Sequence, residues 1–441
     1  MGSKLTFVPH MSSLQLQAVP NLVGVREGSL TGECYPLRFQ KTAKNSCDSI
    51  RIAWLMPSLA RGYYWQPLYR DFTRLFPNTV IFTGNWPGYL RGYEESFTVQ
   101  QLGGFKFVAC NRTETGADIG FTRAPASILP ELRRFRPSVI FTSSFTIWTL
   151  YALIYKSFSR CRVVGVWDGT SPGTAFLHSP IRLRLRRTLA RFIDTVVTNS
   201  HAGERYLRDV LRIPESRILR HPYQVAEPGA LCLDWDGGSP LNLLPRPVFL
   251  FVGSLITLKG WRYLLEAAAQ LVEKGMNSFS VVLAGDGEQR QDLLRMVTAL
   301  RLEGIVHLMG QIRYEDLGAF FLASDVFVLP TLDDVWAVVV LEALAFGKPV
   351  LCSQYAGAKE MVEHGVNGYV FDPRNPGELA EHMARFIQQP GLIAEFGQKS
   401  KEIISPYTPE YAAKVLGKLV LRLLGRSERA LALEELPQEN P

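Results

Sequence analysis

The chain predicts an α/β protein of two doubly wound, Rossmann-like domains facing across a cleft. Three observations carry that prediction. Short runs of β-branched and aromatic residues alternate with helix-length stretches almost throughout, the pattern of a parallel sheet covered by helices on both faces. At 441 residues the chain is too long for one ordinary domain. The alternation stops once, at residues 226–246, in a segment rich in Pro, Gly and Asp, and then starts again. An N-terminal domain over 49–225, a linker over 226–246 and a C-terminal domain over 247–404 follow. Sheets of this kind bind ligands beyond the carboxyl ends of their strands, so the cleft is the expected site.

Residues 1–48 show no sustained periodicity and are expected to be a disordered extension. The run 51–56 reads as a buried strand, followed by a loop over 57–62 and a helical pattern through Arg74. Strands follow at 79–83 and 105–110. A helix before Pro137 leads into a strand at 138–143, then a helix at 147–157 and strands at 162–166 and 194–198. After the linker come a strand at 248–252, a helix at 261–274, a strand at 280–284 and a helix at 289–301. Short strands at 305–309, 326–329 and 350–353 complete the second domain. An amphipathic helix at 409–424 follows Pro406, and the acidic tail 426–441 is expected to fray.

With 47% hydrophobic and 20% charged residues, the chain can bury large cores. Its six cysteines (Cys34, Cys47, Cys110, Cys161, Cys232, Cys352) are scattered without a CxxC pair, which fits a reducing cytosol better than a disulfide or zinc scaffold. No apolar run reaches the length of a transmembrane helix, and the start lacks the order of a secretory signal. Met1 to Thr6 fits the loose myristoylation pattern, but so short a pattern often matches by chance, and no lipid anchor is expected. A cytoplasmic location, peripheral on the inner face of a membrane, is the expectation.

The net charge of +7 is concentrated. Residues 160–220 hold 12 Arg, no Lys and 5 acids, so this one window accounts for all of it. Within it, Arg182 to Arg191 interleaves Leu with Arg on an expected helix. That interleaving favours an anionic membrane surface over a merely solvated face. No stacking aromatics accompany the arginines, so nucleic acid is not an expected partner.

The chemistry-bearing residues cluster in the second domain. Gly253 and Ser254 follow a strand, and Lys259-Gly260 precede a helix; loop N–H groups plus a lysine suit a diphosphate. Gly310, Gln311, Ile312 and Arg313 follow a later strand. Asp334 and Glu342 are separated by seven intervening residues, with Val335, Trp336 and Ala337 after the first acid and Gly347-Lys348-Pro349 after the second. Alone, the two acids would read as a turn aspartate and a dipole-favoured helix glutamate. In the first domain, Ser58 to Gly62 is a loop at a strand end, and Trp167-Asp168-Gly169-Thr170 is another. Asp168 there reads equally as a turn residue or as an acid facing the cleft.

The acidic segment 334–342 resembles the signature of the retaining glycosyltransferases of family 4, the glycosyl transferases group 1, which have the two-domain GT-B fold. The loop at 253–260, the turn Gly285-Asp286-Gly287 and the segments 357–362 and 365–371 agree with it in register. The resemblance is close over about 247–380 and architectural over 50–225. It implies transfer of a sugar, with retention, from a nucleotide-diphosphate sugar of the UDP or GDP type to a hydroxyl acceptor, in cell-surface polysaccharide or glycolipid assembly. Lys259, Asp334 and Asp168 would be the catalytic set. Gly253, Ser254, Lys259, Gly310, Ile312, Val335, Trp336, Ala337 and Glu342 would hold the donor, Glu342 through the ribose hydroxyls. Ser58, Gly62 and Asp168 would stand on the acceptor side. No DxD pair occurs at a strand end, so no metal or other cofactor is expected. The resemblance also implies that helix 409–424 returns to the first domain.

The departures are local. The family has Glu where Asp334 stands, about 1.5 Å longer in reach, Gly around the aromatic where Val335 and Ala337 stand, and Arg where Ser254 stands. They keep two alternatives open: a catalytically degenerate homologue serving as a binding or scaffold subunit, and a sugar epimerase or phosphorylase of the same fold.

Overall fold

The computed structural model describes residues 47–60, 62–103, 106–112, 118–232 and 241–431. The expectations for residues 1–46 and 432–441, and for residues 233–240 of the linker, lie outside them.

The first lobe opens with β1 (Ile52–Met56), α1 (Gln66–Leu75), β2 (Thr79–Thr83) and β3 (Thr98–Gln101). The strands β4 (Phe107–Arg112) and β5 (Asp118–Thr122) follow, then α2 (Ile128–Phe135), β6 (Val139–Ser143) and α3 (Ile147–Ser157). It closes with β7 (Arg162–Trp167), α4 (Pro172–Ala175), α5 (Pro180–Phe192), β8 (Thr195–Thr198), α6 (His201–Arg205) and β9 (Ile218–Arg220). Seven of these strands form one parallel sheet in the order β3-β2-β1-β6-β7-β8-β9.

The second lobe runs β10 (Val248–Val252), α7 (Trp261–Glu273), β11 (Ser280–Ala284), α8 (Arg290–Ala299), β12 (Val306–Gly310) and α9 (Leu317–Ala323). It continues through β13 (Val326–Leu329), α10 (Val338–Ala345), β14 (Val350–Ser353) and β15 (Gly368–Phe371). The helices α11 (Pro376–Gln388), α12 (Gly391–Ile404) and α13 (Pro409–Leu423) follow. Its six strands are also all parallel, in the order β12-β11-β10-β13-β14-β15.

Both sheets are covered on two faces, which is why their central strands are continuous apolar runs rather than alternating ones. All five residues of β1 are buried, and so are four of the five in β10. Trp54 and Phe141, paired directly across β1 and β6, stack at 4.2 Å. In each sheet the strand order reverses once, between β1 and β6 and between β10 and β13. The crevice at such a reversal is where the loops part and a ligand can enter.

Three expectations need correction. The third strand of the main sheet is β3, whose polar sequence TVQQ carries no burial signal. The apolar run placed at 105–110 forms β4, which pairs antiparallel with β5 in a separate hairpin. The segment after Arg426 is folded at its start: Glu428–Leu431 makes a 3-10 turn, and Leu431 is buried beside Gly417. Helix α13 lies against α1, with Gly417 close to Leu75 and Phe76. Cys47, Cys161 and Cys352 are free thiols. Among the described residues no helix is long and apolar enough to cross a membrane.

Candidate active site

The site forms where the loops after β10 and β13 clamp together. The Leu332 N–H donates to the Leu258 carbonyl at 2.8 Å, and the Thr331 hydroxyl donates to the same oxygen at 3.0 Å. Gly260 makes the contact possible. Its φ is +67°, and a Cβ there would lie 1.9 Å from the Pro330 carbonyl oxygen. The clamp delivers Lys259 to Asp334, and Nζ donates to Oδ2 at 2.6 Å. The other Asp334 oxygen accepts from the Trp336 N–H at 3.3 Å. Ala337, at φ +64°, turns the chain into α10.

On α10, Glu342 is 3% exposed and accepts one bond, from the Tyr314 hydroxyl to Oε1 at 3.0 Å. Burial pushes its carboxyl up to about 7, against the opposing effect of the Tyr314 bond. The Tyr314 ring stacks on Tyr63 of the first lobe, 5.9 Å between centroids. Beside this pair opens a cleft of about 480 Å³, lined by Gly253, Ser254, Asp286, Ile312, Arg313 and Tyr314 from the second lobe, with Ala60 and Tyr63 from the first.

The first lobe adds Asp168, which follows β7. The Tyr223 hydroxyl donates to its Oδ1 at 2.9 Å, and Asn199 Nδ2 donates to its backbone carbonyl at 2.9 Å. Burial raises the Asp168 carboxyl to about 6, although the bonds from Tyr223 and Gln224 pull it down. Tyr64 lies among the acids. Loss of water and then the charges of Asp168, Asp334 and Glu342 push its hydroxyl well above the usual phenol range. Three carboxylates and a phenol, drawn from both lobes, therefore share one electrostatic field, with Lys259 bonded to Asp334.

Polar contacts hold the lobes around this centre. Asp333 Oδ2 accepts from the Gly173 N–H at 2.8 Å. The Trp336 indole donates to the Gln224 carbonyl at 2.9 Å. Glu360 accepts from the N–H groups of His201 and Ala202, at 2.8 and 3.0 Å, at the start of α6. Gly169 approaches Val335 so closely that a Cβ on it would sit 2.1 Å from the Val335 carbonyl oxygen.

Comparison with known proteins gives the family and the fold. The family described as Glycosyl transferases group 1 matches residues 240–403, and the Glycosyl transferase 4-like domain matches residues 62–224. The chain belongs to the group 1 glycosyltransferases. It is 31% identical over 227 residues to an alpha-D-kanosaminyltransferase of Streptomyces kanamyceticus, covering 50% of this chain and 58% of that one. It is 27% identical over 259 residues to a D-inositol 3-phosphate glycosyltransferase of Nocardiopsis dassonvillei, covering 55% and 58%. The matched segments thus span less than two thirds of those relatives. A crystal structure of Anabaena Alr3699/HepE in complex with UDP and glucose superposes with a TM-score of 0.63 at 19% identity, covering 85% of this chain and 100% of that one. One of WaaG, a glycosyltransferase involved in lipopolysaccharide biosynthesis, gives 0.59 at 14%, covering 82% and 99%. The fold is GT-B.

In this group 1 glycosyltransferase the motif residues fall into two sets. Lys259 is paired with Asp334 and Glu342 is held by Tyr314, while Gly253, Ser254 and Ile312 line the open cleft. The rest lie elsewhere. Trp336 is 1% exposed, its indole committed to Gln224. The Val335 carbonyl packs against Gly169 and Gly357. Gly310 accepts from the Gly285 N–H at 2.7 Å, at the end of β12. Ser58 caps its own loop through Ala60, and Gly62 bonds back to Leu59, so Ala60 and Tyr63 face the cleft instead. Sequence reasoning missed Tyr63, Tyr64, Tyr223, Tyr314, Asp333 and Glu360. The aromatic cluster Tyr63-Tyr64-Trp65 straight after the first strand-end loop was the available signal.

Proposed function

We propose that this chain transfers a sugar, with retention, from a nucleoside-diphosphate sugar to a hydroxyl acceptor. The observation that carries the reading is the Lys259–Asp334 ion pair, set beside the Gly253–Ser254 loop at the strand-order reversal of the second sheet. In the proposed reaction the C1–O bond to the diphosphate breaks, the acceptor oxygen bonds to C1 on the same face, and the acceptor's hydroxyl proton passes to the departing phosphate oxygen. The charge growing on the departing phosphate oxygen is met by Lys259 and by loop N–H groups rather than by a metal ion. Ser254 can add one hydrogen bond but no charge. Glu342 accepts from both ribose hydroxyls once Tyr314 releases it. Asp168, its carboxyl raised towards neutrality, faces the acceptor side.

Calorimetry with UDP and GDP, followed by nucleoside-diphosphate release from a panel of donors, tests the reading, with Glu342→Ala as the control. Saturable binding that Glu342→Ala weakens is expected. Absence of any nucleotide or nucleotide-sugar binding would falsify it. The loss of arginine at Ser254 favours one second reading, a binding subunit without turnover; donor binding with no transfer to any acceptor would select it.

We also propose a membrane-facing acceptor, as in cell-surface polysaccharide or glycolipid assembly. Helix α5 supports this with an outward apolar stripe of Ile181, Leu185 and Phe192, 82%, 58% and 59% exposed, flanked by arginines. Vesicle binding unaffected by Ile181→Asn/Leu185→Asn would remove that placement.

A further inference from the structure

Beside α5, where the helix meets the segment 211–217, lies a second cleft of about 680 Å³. Arg184, Arg187 and Arg191 line one side of it. Their spacing of three and four residues puts them on one helix face. Arg212 and Arg217 come from the facing segment, and no acidic residue lines the cleft. Two of the five are anchored by backbone. Arg187 Nε donates to the Val210 carbonyl at 2.9 Å, and Arg217 Nη2 donates to the carbonyls of Ala190, at 2.6 Å, and Ile193.

The acids nearby are already engaged. Asp194 binds Lys156 at 2.6 Å and Arg162 at 3.2 Å. Asp209 and Glu215 both bind Arg208. Arg184, Arg191 and Arg212 make no ion pair among the described residues. Like charges at helical spacing repel one another. A groove that keeps five guanidinium groups without a carboxylate is therefore short of counter-charge, which a bound anion would supply. The choice of cation narrows the anion. Residues 160–220 contain 12 Arg and no Lys, and the guanidinium fork matches the paired oxygens of a phosphate.

We propose that this groove is a phosphate-binding site separate from the donor cleft. It takes the phosphate group of an anionic lipid at the surface on which α5 lies. The apolar stripe of Ile181 and Leu185 is about a quarter turn from Arg184 on the same helix, so insertion of the stripe brings the groove to headgroup depth. The proposal rests on the membrane placement above and not on sugar transfer.

The test sediments the full chain with phosphatidylcholine vesicles, with and without phosphatidate, alongside calorimetric titration with inorganic phosphate. Phosphatidate-dependent binding is expected. Arg184→Gln/Arg212→Gln should weaken it by about 150-fold, the loss of two charge-assisted hydrogen bonds to one phosphate. Arg160→Gln/Arg182→Gln removes the same charge outside the groove and should cost far less. Equal loss in both variants, or none in the first, overturns the site. Titration of inorganic phosphate without any preference for phosphatidate overturns the lipid source and makes free phosphate the ligand. Donor binding by the Arg184→Gln/Arg212→Gln protein should be unchanged, so failure here leaves the transferase reading standing.

Discussion

Burial raises the Glu342 carboxyl from 4.5 to about 7, and the Tyr314 hydroxyl offsets only part of that. The folded protein therefore keeps a proton on Glu342 through a pH window in which the unfolded chain has lost it. Stability contributed by this group declines as pH rises from about 4.5 to 7 and is level above that. The full difference is on the order of 3 kcal/mol. Glu342→Gln removes the titration, so it should be more stable than the parent at pH 8 and nearly equal at pH 5, while losing nucleotide affinity. Urea unfolding at the two pH values checks this; a gap that does not widen with pH excludes it. Ala337 is a second residue held against its preference. At φ +64° an alanine costs roughly 1 kcal/mol that glycine avoids. Ala337→Gly should raise the unfolding free energy by about 0.5 kcal/mol, read as a higher urea midpoint, where Ala→Gly at a helix start usually lowers it. Lys259, Asp334 and Glu342 were legible because a fixed spacing within one lobe carries them together. Tyr63 and Tyr314 were not, because their contact exists only when two lobes meet.

At the scale of elements, the loop after β10 and the loop after β13 act as one unit, with Gly260 as the point of contact. Gly260→Ala combines an unfavourable φ with a Cβ placed 1.9 Å from a backbone oxygen that cannot rotate away. A loss of about 2–4 kcal/mol is expected, together with nucleotide binding, because the shift separates Lys259 from Asp334. Gly275→Ala is the control. Its φ is +80°, but no atom lies within 4 Å of the added carbon. It should cost only about 1–2 kcal/mol and leave nucleotide binding intact. Equal losses of stability and binding in the two variants would show that the clamp has no special role. Elements such as these, buried between two helix layers, show their strands in sequence as apolar runs. Strand β3 did not, since a polar edge strand is specified by its pairing with β2 and not by burial. The apolar β4 misled for the opposite reason: its hydrophobic residues pair with β5, away from the main sheet.

For the whole molecule, the question is what keeps the two lobes in the geometry that joins Asp168 to Asp334. Glu360 is the contact with the most charge. Its carboxylate accepts two N–H groups at the start of α6, where the helix dipole also favours an anion. Two charge-assisted bonds of this kind, set against the water that replaces them, hold closure by about 2 kcal/mol. Glu360→Ala should therefore move the open–closed balance about thirtyfold towards open. It leaves every residue of the donor cleft in place. Three consequences separate this from a general loss of stability. The radius of gyration from X-ray scattering should rise. Exchange of the His201 and Ala202 amides should accelerate while amides in β10 and β11 stay protected. Nucleotide should still bind, since Gly253, Lys259 and Glu342 all belong to the second lobe, but a donor should no longer restore the compact form fully. Gly169→Ala reaches the same end from the steric side, by placing a methyl 2.1 Å from the Val335 carbonyl oxygen. If both variants scatter like the parent and turn over donor at its rate, the lobes are held by the shared apolar core around Trp336, Tyr223 and Val225, and the polar contacts only decorate it.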